Sequence, residues 1–376
     1  MRKKIAFIVA TPITANAFML KHFEYLSKEF DIYLIANFED NATIVFSSRY
    51  VKAIKNIPIH RSITLFKDIR ALFLLVQYLK QQQFDAVHTI TPKAGLTGIL
   101  AAKILGVKIR THIFTGQIWH TKTGLFKIIL KNIDRFIVFC ATNILVDGQS
   151  QRQFLIQNKI IKDSNSRVLG KGSISGVDTD KFVPSLLLKQ KYRDELKFTD
   201  EVVFLFLGRL NHDKGILDLT KAFLKLKNNY PKSRLVFVGP DEEQMQIKII
   251  ELSHNDASIL FYGATTKPQE LLQLADVFCL PSYREGFGTS VIEASLLEKP
   301  IICSDTYGLM ETIIDNETGL RHQVANAESI ANQMEKLMDV NLRNKMGIAG
   351  RNYVLDHFSA EKISIEWLKY YQEILK

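Results

Sequence analysis

Residues 281–294 read PSYREGFGTSVIEA and follow the apolar run DVFCL, which occupies residues 276–280. The apolar run predicts a buried strand, and the pattern of residues 291–297 predicts a helix. The glycines between them mark the turn that joins the strand to the helix. Because a helix N-terminus carries free backbone N–H groups and a partial positive charge, this unit is suited to bind a diphosphate.

Two carboxylates flank the turn. Glu285 lies in the loop, and Glu293 lies one to two turns into the predicted helix. With a helical rise of about 1.5 Å per residue, their attachment points are on the order of 10 Å apart. That separation allows one carboxylate to contact a sugar and the other to contact a ribose. This stretch alone is also compatible with a helix start that carries two solvated acids.

A second loop, GRLNHDKG at residues 208–215, follows another predicted strand at residues 202–208. Arg209 and Lys214 flank this loop, which ends at Gly215 beside a predicted helix start. Two cations in that position can hold a diphosphate and stabilise it as a leaving group. For this loop alone, a solvated basic connection between a strand and a helix explains the residues equally well.

Strand-like and helix-like patterns alternate along the chain, which predicts parallel sheets with helices on both faces. In the first half, strands are expected at residues 4–10, 32–36, 86–89, 109–114 and 144–147, and helices at 18–28, 69–82, 96–105 and 125–141. In the second half, strands are expected at residues 202–208, 234–238, 259–262, 277–280 and 301–304, and helices at 215–226, 245–252, 269–274, 290–297 and 327–338.

The alternation is interrupted by Pro184 and by a charged stretch that ends at residue 200. The fold class is therefore α/β, with two doubly wound, Rossmann-like parallel-sheet domains at residues 1–185 and 186–358. An amphipathic C-terminal helix is expected at residues 359–376, where it can pack back on the first domain. Ligands of such sheets gather at the carboxyl ends of the strands, so the two domains are expected to face each other across a binding cleft.

The net charge of +10 is concentrated in the first half of the chain. Residues 1–185 carry 26 Lys and Arg against 12 Asp and Glu, whereas the remaining residues carry 23 against 27. This excess indicates an anionic partner of the first half. Because no nucleic-acid-binding motif accompanies the charge, nucleic acid is not expected and an anionic membrane surface is favoured. The sequence contains no run of about 18 apolar residues, so no membrane span is predicted.

The predicted helix at residues 123–140 has a basic stripe, because Lys127, Lys131 and Arg135 recur at intervals of four. Apolar residues cover much of the rest of its surface. A basic amphipathic helix can lie on an anionic membrane. The three basic residues are therefore expected to face a membrane, and a core helix with one solvated face is the alternative.

The two loops together resemble the signature of the retaining glycosyltransferases of family four, which have the two-domain GT-B fold. That signature is a glycine-arginine…lysine-glycine loop followed by a Glu-x7-Glu motif, here EGFGTSVIE at residues 285–293. The first half carries HTITPKAGLTGILAAKILGVKIRTHIFTGQIW at residues 88–119 and LGKGSISGVDTDKF at residues 169–182. Both segments resemble the subgroup that builds bacterial O-antigen and capsule polysaccharides on a polyprenyl-diphosphate carrier.

The resemblance implies the roles of the donor-site residues. Arg209 and Lys214 would bind the donor diphosphate and neutralise charge as the bond to the sugar breaks. Glu285 would bind hydroxyls of the donor sugar, and Glu293 would hold the ribose. The implied donor-binding residues are Gly208, Arg209, Lys214, Glu285, Gly286, Phe287, Gly288, Thr289 and Glu293. The family retains the anomeric configuration, with a same-face displacement as the favoured account, and it needs no metal or other cofactor.

The first domain is expected to bind the acceptor. Related enzymes often place a functional histidine after a central strand of this domain, which suggests His112 as a catalytic residue, with His88 behind it; a structural histidine is the alternative. Lys93 opens a predicted helix, where it would meet an acceptor phosphate, and Thr115 and Gly116 are expected in the wall of the cleft. The first loop, TPITANA, lacks the glycines that are common in the family, so a phosphate contact is not implied there.

We therefore expect a retaining, metal-independent hexosyltransferase that moves a sugar from a nucleoside-diphosphate sugar to a polyprenyl-diphosphate-linked saccharide. UDP and an N-acetylated sugar are the first choices for the donor. The enzyme is expected to be cytoplasmic and peripherally bound to the inner face of the cell membrane, and three widely spaced cysteines agree with a reducing compartment.

Three alternatives differ in reaction class. A nucleotide-sugar epimerase or a phosphorylase of related fold would keep the architecture and change the chemistry. A non-catalytic partner that binds a nucleotide sugar or a lipid would keep the fold without turnover. An oxidoreductase is not expected, because no Gly-x-Gly-x-x-Gly follows the first strand of either domain.

Overall fold

The computed structural model describes residues 2–38, 48–60 and 64–376. The chain forms two compact units. Unit 1 contains Met1–Gly176 together with Ala360–Lys376, and unit 2 contains Val177–Ser359. The units are therefore divided after residues 176 and 359, while the sequence pattern predicts domain boundaries after residues 185 and 358.

Unit 1 is built on a parallel sheet with helices on both faces. Its strands are β1 (Lys4–Ile8), β2 (Asp31–Ala36), β3 (Ala53–Asn56), β4 (Ala86–Ile90), β5 (Ile109–Phe114), β6 (Asn143–Val146) and β7 (Ser166–Arg167). Its helices are α1 (Pro12–Phe18), α2 (Leu20–Leu26), α3 (Leu65–Gln82), α4 (Pro92–Ala94), α5 (Leu100–Ile104), α6 (Gly124–Cys140), α7 (Gln149–Gln157) and the C-terminal helix (Ala360–Ile374). A π-helical segment, Gly95–Ile99, joins α4 to α5. The seven strands lie in the order β3-β2-β1-β4-β5-β6-β7.

Unit 2 repeats this architecture. Its strands are β8 (Val202–Leu207), β9 (Ser233–Val238), β10 (Ile259–Gly263), β11 (Val277–Leu280), β12 (Ile301–Ser304) and β13 (Gly319–His322). Its helices are α8 (Leu186–Glu195), α9 (Ile216–Asn229), α10 (Met245–Leu252), α11 (Pro268–Leu271), α12 (Thr289–Leu296), α13 (Ala327–Lys336) and α14 (Val340–His357). The six strands lie in the order β10-β9-β8-β11-β12-β13.

The expected α/β class with two doubly wound parallel sheets is confirmed, because every strand pair in both sheets is parallel. Central strands such as β11 and β12 are buried along their whole length. Helices on both faces exclude water from them, so these strands read as unbroken apolar runs and are easy to predict.

Three edge strands and some helices were not predicted. The edge strand β3 exposes three of its four residues, and β7 has only two residues. Neither strand contains the apolar run that identifies a buried strand. The patterns also missed the edge strand β13 and the helices α7, α8 and α14.

Two predicted helices were wrong in their extent. The helix predicted at residues 18–28 is divided at Met19 into α1 and α2, and α1 already begins at Pro12. The helix predicted at residues 96–105 begins at Pro92 and changes to π-helical geometry at Gly95. In both cases a proline occupies the first helical position, where its fixed φ suits a helix and its missing N–H costs nothing.

The C-terminal helix is held in unit 1 by a stack of aromatic rings. The Trp367 ring stacks on His22 at a centroid distance of 4.6 Å and on His88 at 4.9 Å. His22 Nδ1 lies 2.8 Å from Ser364 Oγ, and His88 Nδ1 lies 2.6 Å from the Tyr371 hydroxyl. All five side chains are buried. The two histidines therefore join the helix to α2 and β4 by both packing and hydrogen bonds.

This stack predicts a stability that depends on pH. Burial lowers the pKa of His22 to about 4, whereas an unfolded chain titrates near 6.5. As the pH falls below 6.5 the unfolded chain gains a proton that the folded chain does not, so the free energy of unfolding decreases. We expect the stability advantage of the wild type over His22→Asn to be complete above pH 7 and to shrink by about 2 kcal/mol by pH 5.

Urea unfolding of both proteins across this pH range measures that difference. Taking the difference between the two proteins cancels the titration of the other groups. An advantage that stayed constant from pH 7.5 to pH 5 would contradict a neutral, buried His22.

Candidate active site

Two loops at the carboxyl edge of the second sheet are in close contact. The first follows β8 and ends at Gly215, and the second follows the neighbouring strand β11 and begins at Pro281. Gly215 has a φ of +65°, and a Cβ placed there would lie 2.1 Å from the carbonyl oxygen of Pro281. The Tyr283 N–H donates to the Asp213 carbonyl at 2.8 Å. Only glycine at residue 215 allows both the backbone conformation and this contact.

Lys214 and Glu285 form an ion pair where the two loops meet. Their side chains are 17% and 14% exposed, so the pair is largely shielded from water. The Ser282 hydroxyl donates to the same oxygen of Glu285 at 2.7 Å. An ammonium has three donors, so Lys214 can hold Glu285 and still bind an anionic ligand.

A second set of contacts fixes the loop that carries Glu285. Arg284 Nε donates to a carboxylate oxygen of Asp213 at 2.8 Å, and the Tyr283 hydroxyl donates to Asp218 at 2.7 Å. Asp213 lies in the connection between β8 and α9, and Asp218 lies in the first turn of α9. Sequence reasoning missed Ser282, Asp213 and Asp218, because polar residues near a loop do not by themselves reveal their partners.

Arg209 is the exposed cation of this site. Its side chain is 53% exposed and forms a 3.0 Å ion pair with Glu242. Asn211 Nδ2 donates to the same carboxylate at 3.2 Å. Glu242 follows β9, the neighbour of β8 on the side away from β11. An exposed pair of this kind is weak, so a diphosphate can compete for the guanidinium.

Residues 286–289 form the turn into α12. Gly288 has a φ of +54°, and a Cβ there would lie 2.2 Å from a methyl group of Leu309. No side chain among the described residues caps the first turn of α12. The turn therefore has backbone N–H groups at the positive end of the helix, as an anion site requires.

Glu293 lies on α12, one turn beyond its start, and is partly buried. Burial raises the pKa of its carboxyl to about 7, and the charge of Lys181 opposes this shift. The structure thus brings Arg209, Lys214, Glu285 and Glu293 to the carboxyl ends of adjacent strands of one sheet, together with the turn at residues 286–289.

In unit 1, His112 lies inside β5 and not after it. It is buried, and its Nδ1 lies 2.8 Å from the hydroxyl of Thr89 on β4. Burial lowers the pKa of His112 to about 3, so the ring is neutral at physiological pH. His88 belongs to the stack under the C-terminal helix, a position that favours a structural role.

The three proposed acceptor residues lie at the carboxyl ends of β4 and β5. Lys93 forms a 2.5 Å ion pair with Asp68 of α3, and both side chains are mostly buried. Thr115 and Gly116 directly follow β5 and are partly exposed. A phosphate would have to share the Lys93 ammonium with Asp68, a partner that the sequence did not reveal.

Helix α6 exposes much of its apolar surface, and two residues of its basic stripe contact the rest of the protein. Lys131 donates to Asn158 at 3.0 Å and lies over the Trp119 ring, and Arg135 donates to the Lys159 carbonyl at 3.3 Å. The exposed large apolar residues of α6 are Leu125, Phe126, Ile128, Ile129, Phe136 and Phe139. The sequence analysis expects Lys127, Lys131 and Arg135 to face a membrane, whereas Lys131 and Arg135 form hydrogen bonds within the protein.

Helix α3 has a similar exposed face, which sequence reasoning missed. Its exposed apolar residues are Leu65, Phe66, Ile69 and Phe73, and Phe66 is 88% exposed. Their spacing of one, three and four residues is the signal that would have revealed a helical stripe. Within the described part of the chain, no helix is long and apolar enough to cross a bilayer.

Comparison with known proteins identifies the family. Residues 189–353 match the model of the glycosyl transferases group 1. The chain is 31% identical over 325 residues to the capsular polysaccharide biosynthesis glycosyltransferase CapM of Staphylococcus aureus, which covers 85% of both proteins. It is 28% identical over 371 residues to the UDP-Gal:alpha-D-GlcNAc-diphosphoundecaprenol alpha-1,3-galactosyltransferase of Escherichia coli, which covers 96% of this chain and 94% of that one.

Solved structures share the fold. Sucrose-phosphate synthase of Thermosynechococcus elongatus superposes with a TM-score of 0.84 at 20% identity and covers 99% of each chain. Anabaena HepE in complex with UDP and glucose superposes with a TM-score of 0.80 at 17% identity, covering 99% of this chain and all of that one. The expected GT-B architecture is confirmed. Relatives named as glycosyltransferases support sugar transfer and not the epimerase or the non-catalytic alternative, and the chain belongs to the glycosyl transferases group 1 family.

Proposed function

We propose that this glycosyltransferase moves a sugar from a UDP-sugar to a saccharide carried on polyprenyl diphosphate, with retention of the anomeric configuration. The observation that carries the proposal is the shielded Lys214–Glu285 pair beside the open N-terminus of α12. The pair supplies a cation and a carboxylate near a helix start whose backbone N–H groups no side chain caps. These are the groups that a diphosphate and an attached sugar require.

In this proposal Lys214 and Arg209 bind the diphosphate, and the backbone of residues 286–289 binds its distal phosphate. Glu285 accepts hydrogen bonds from hydroxyls of the donor sugar, and Glu293 accepts them from the ribose. Charge builds up on the diphosphate as the glycosidic bond breaks, and the two cations stabilise it most in the transition state. Arg209 leaves Glu242 for the diphosphate, because that exposed pair costs little to break.

The chemical step balances without a protein nucleophile. The acceptor hydroxyl attacks the anomeric carbon on the face that the diphosphate leaves. The bond between this carbon and the phosphate oxygen breaks, and that oxygen takes the proton of the hydroxyl. The products are the extended saccharide and the nucleoside diphosphate. The protein supplies position and charge stabilisation.

The acceptor class follows from the names of relatives. One relative acts on GlcNAc-diphosphoundecaprenol, and a second, 26% identical, acts on N,N'-diacetylbacillosaminyl-diphospho-undecaprenol and transfers N-acetylgalactosamine. Both acceptors are sugars linked through a diphosphate to a polyprenyl chain. We assign the same acceptor class to this protein, with Lys93, Thr115 and Gly116 in contact with it.

A lipid-linked acceptor requires a site at a membrane surface, and unit 1 has a suitable surface. Helices α3 and α6 both contact the segment that joins α4 to α5, each has exposed apolar residues, and α6 also carries basic residues. Apolar side chains can enter the region between headgroups and acyl chains, while Lys127, Arg135 and their neighbours attract anionic lipid. We propose that these two faces rest on the inner face of the cell membrane.

The proposed function is tested with a panel of donors. UDP-galactose, UDP-glucose, their N-acetylated forms and GDP-mannose are each incubated with synthetic undecaprenyl-diphosphate-linked GlcNAc. We expect a product with one of the UDP-sugars and no change of the donor without acceptor. Epimerisation of a donor in the absence of acceptor would contradict the proposal, as would failure of all donors with lipid-linked saccharides extracted from cell membranes.

The membrane surface is tested by replacing one apolar residue on each helix. Phe66→Ser with Leu125→Ser removes side chains that are 88% and 72% exposed. Burying such a side chain stabilises by about 1.5–3 kcal/mol, so we expect binding to vesicles with anionic phosphatidylglycerol to fall at least roughly tenfold. Flotation of the vesicles measures the bound fraction at low and high salt.

The matched control is Leu186→Ser with Leu187→Ser, which removes two equally exposed residues, at 85% and 86%, from unit 2. This control is expected to bind vesicles like the wild type. Equal binding by the wild type and the Phe66/Leu125 variant would remove α3 and α6 from the proposed surface.

A further inference from the structure

A buried polar cluster lies at the carboxyl ends of β5 and β6, outside the set of residues discussed so far. Gln117 follows β5, Asp147 follows β6, and Gln151 lies in the first turn of α7. Their exposures are 1%, 3% and 0%. Three polar side chains buried this deeply in one place require partners, because hydrogen bonds to water are lost on burial.

The cluster is hydrogen-bonded internally but is not complete. The Asp147 N–H donates to Gln151 Oε1 at 3.1 Å, and Gln151 Nε2 donates to Gln117 Oε1 at 3.2 Å. Gln117 Nε2, a donor, and Asp147 Oδ1, an acceptor, have no partner among the described residues. The cluster therefore leaves one amide donor and one carboxyl oxygen without a partner, on two residues that both form a hydrogen bond with Gln151.

The position of the cluster points to a ligand of the acceptor side. Ligands of doubly wound sheets bind at the carboxyl ends of the strands. Gln117 comes directly after Thr115 and Gly116, which are partly exposed at that edge. A hydroxyl can both donate and accept hydrogen bonds, so a ligand that carries hydroxyl groups has the partners that Gln117 Nε2 and Asp147 Oδ1 lack.

The backbone of Asp147 is hydrogen-bonded to Ser173, a residue with an unusual backbone conformation. Ser173 has a φ of +71°, which is uncommon for a residue other than glycine. Its N–H donates to the Asp147 carbonyl at 2.7 Å, and its hydroxyl accepts from the Gly176 N–H at 2.9 Å. Ser173 therefore holds the carbonyl of Asp147, and Gln151 holds its N–H. Burial raises the pKa of the Asp147 carboxyl to about 8, so it is largely uncharged at neutral pH and is matched to a neutral ligand group.

We propose that Gln117 and Asp147 bind a hydroxyl group of the acceptor saccharide and so position that sugar for transfer. This inference rests on the proposed function, because it assigns the acceptor of the same reaction to unit 1. Gln151 acts through the other two residues and is a positioning residue. A buried water molecule would satisfy the same two atoms, and the experiment has to separate the two ligands.

The test compares steady-state kinetics of Gln117→Met, Asp147→Leu and Asp147→Asn, with undecaprenyl-diphosphate-linked GlcNAc as acceptor. Gln117→Met and Asp147→Leu keep the shape of the side chain but lose the unused donor or acceptor. We expect acceptor KM to rise roughly 10- to 100-fold in both, and donor KM to stay within about twofold. Asp147→Asn keeps an acceptor oxygen and is expected to restore most of the acceptor affinity.

The control is Gln153→Met, which makes the same chemical change at an exposed position of α7 and is expected to behave like the wild type. Melting temperatures of all variants report effects on folding. If Asp147→Leu does not fold, Gln117→Met and Asp147→Asn still decide the question. An unchanged acceptor KM in a folded Gln117→Met protein would overturn the inference, as would a crystal structure with bound acceptor that shows only a water at these atoms.

A second readout separates this inference from the proposed function. Benzyl N-acetyl-α-D-glucosaminide is a soluble analogue of the acceptor sugar, and saturation-transfer NMR detects its binding without turnover. Binding to the wild type that is lost in Gln117→Met supports the site even if no lipid-linked saccharide is extended. If the wild type extends the lipid-linked saccharide and the variants bind and react like it, the proposed function stands and the proposed site is refuted. If the wild type shows neither binding nor turnover, both the inference and the proposed function are refuted.

Discussion

Lys214→Ala and Glu285→Ala are each expected to lower sugar transfer roughly 1,000-fold, which corresponds to about 4 kcal/mol of transition-state stabilisation. Lys214 would lose its contact with the leaving diphosphate, and Glu285 its contact with the donor sugar. Initial rates of transfer from the donor found in the panel measure the effect. Rates within tenfold of the wild type in both variants would remove these residues from the site.

The double variant separates chemistry from folding. Each single change leaves a mostly buried charge without its partner, so each is also expected to lower the melting temperature. Lys214→Ala with Glu285→Ala removes both charges and is expected to recover stability but not transfer. The matched control is Lys225→Ala with Glu328→Ala, an ion pair of the same unit that is more than half exposed. Recovery of transfer together with stability in the Lys214/Glu285 double variant would show that the single changes acted only through folding.

Gly215→Ala is expected to reduce transfer at least roughly 100-fold, because it forces apart the two loops that position Lys214 and Glu285. The new Cβ would lie 2.1 Å from the Pro281 carbonyl oxygen, a distance that no relaxation of a side chain can relieve. The left-handed backbone alone costs an alanine about 1–2 kcal/mol. Initial rates and the melting temperature are the measurements.

The control for this prediction is Gly263→Ala. Gly263 also has a positive φ, +84°, but a Cβ there meets nothing within 4 Å. It therefore carries the backbone cost without the collision, and transfer is expected to stay near the wild-type level. Equal losses in Gly215→Ala and Gly263→Ala would mean that backbone strain, and not the contact between the loops, determines the effect.

The architecture of the donor side could be anticipated because its signals are local. A buried strand shows as an apolar run, and the signature loops lie directly after strands at fixed spacing, so Lys214 and Glu285 could be named before their contact was known. The sequence could not show that Asp213 completes this region, because its partner Arg284 lies in the loop of another strand.

The acceptor side was anticipated less well, because its features depend on contacts between distant residues. Nothing in the sequence around Lys93 shows that Asp68 neutralises its charge. The periodicity of α6 identified two faces but not which one the sheet covers, and the apolar face is the exposed one. Gln117 and Asp147 stand in separate segments with no motif, and only their shared contact with Gln151 makes them a candidate site.

The aromatic stack under the C-terminal helix has a consequence for synthesis on the ribosome. Unit 2 is continuous in sequence, so it can fold as soon as Ser359 has left the exit tunnel. Residues 1–176, by contrast, emerge before unit 2 but lack Trp367 and Tyr371, the partners of His22 and His88, until residues 360–376 are translated. Unit 1 therefore begins to emerge before unit 2 and is completed after it, and a chain that stops before residue 360 would display an unfilled apolar surface to chaperones and proteases.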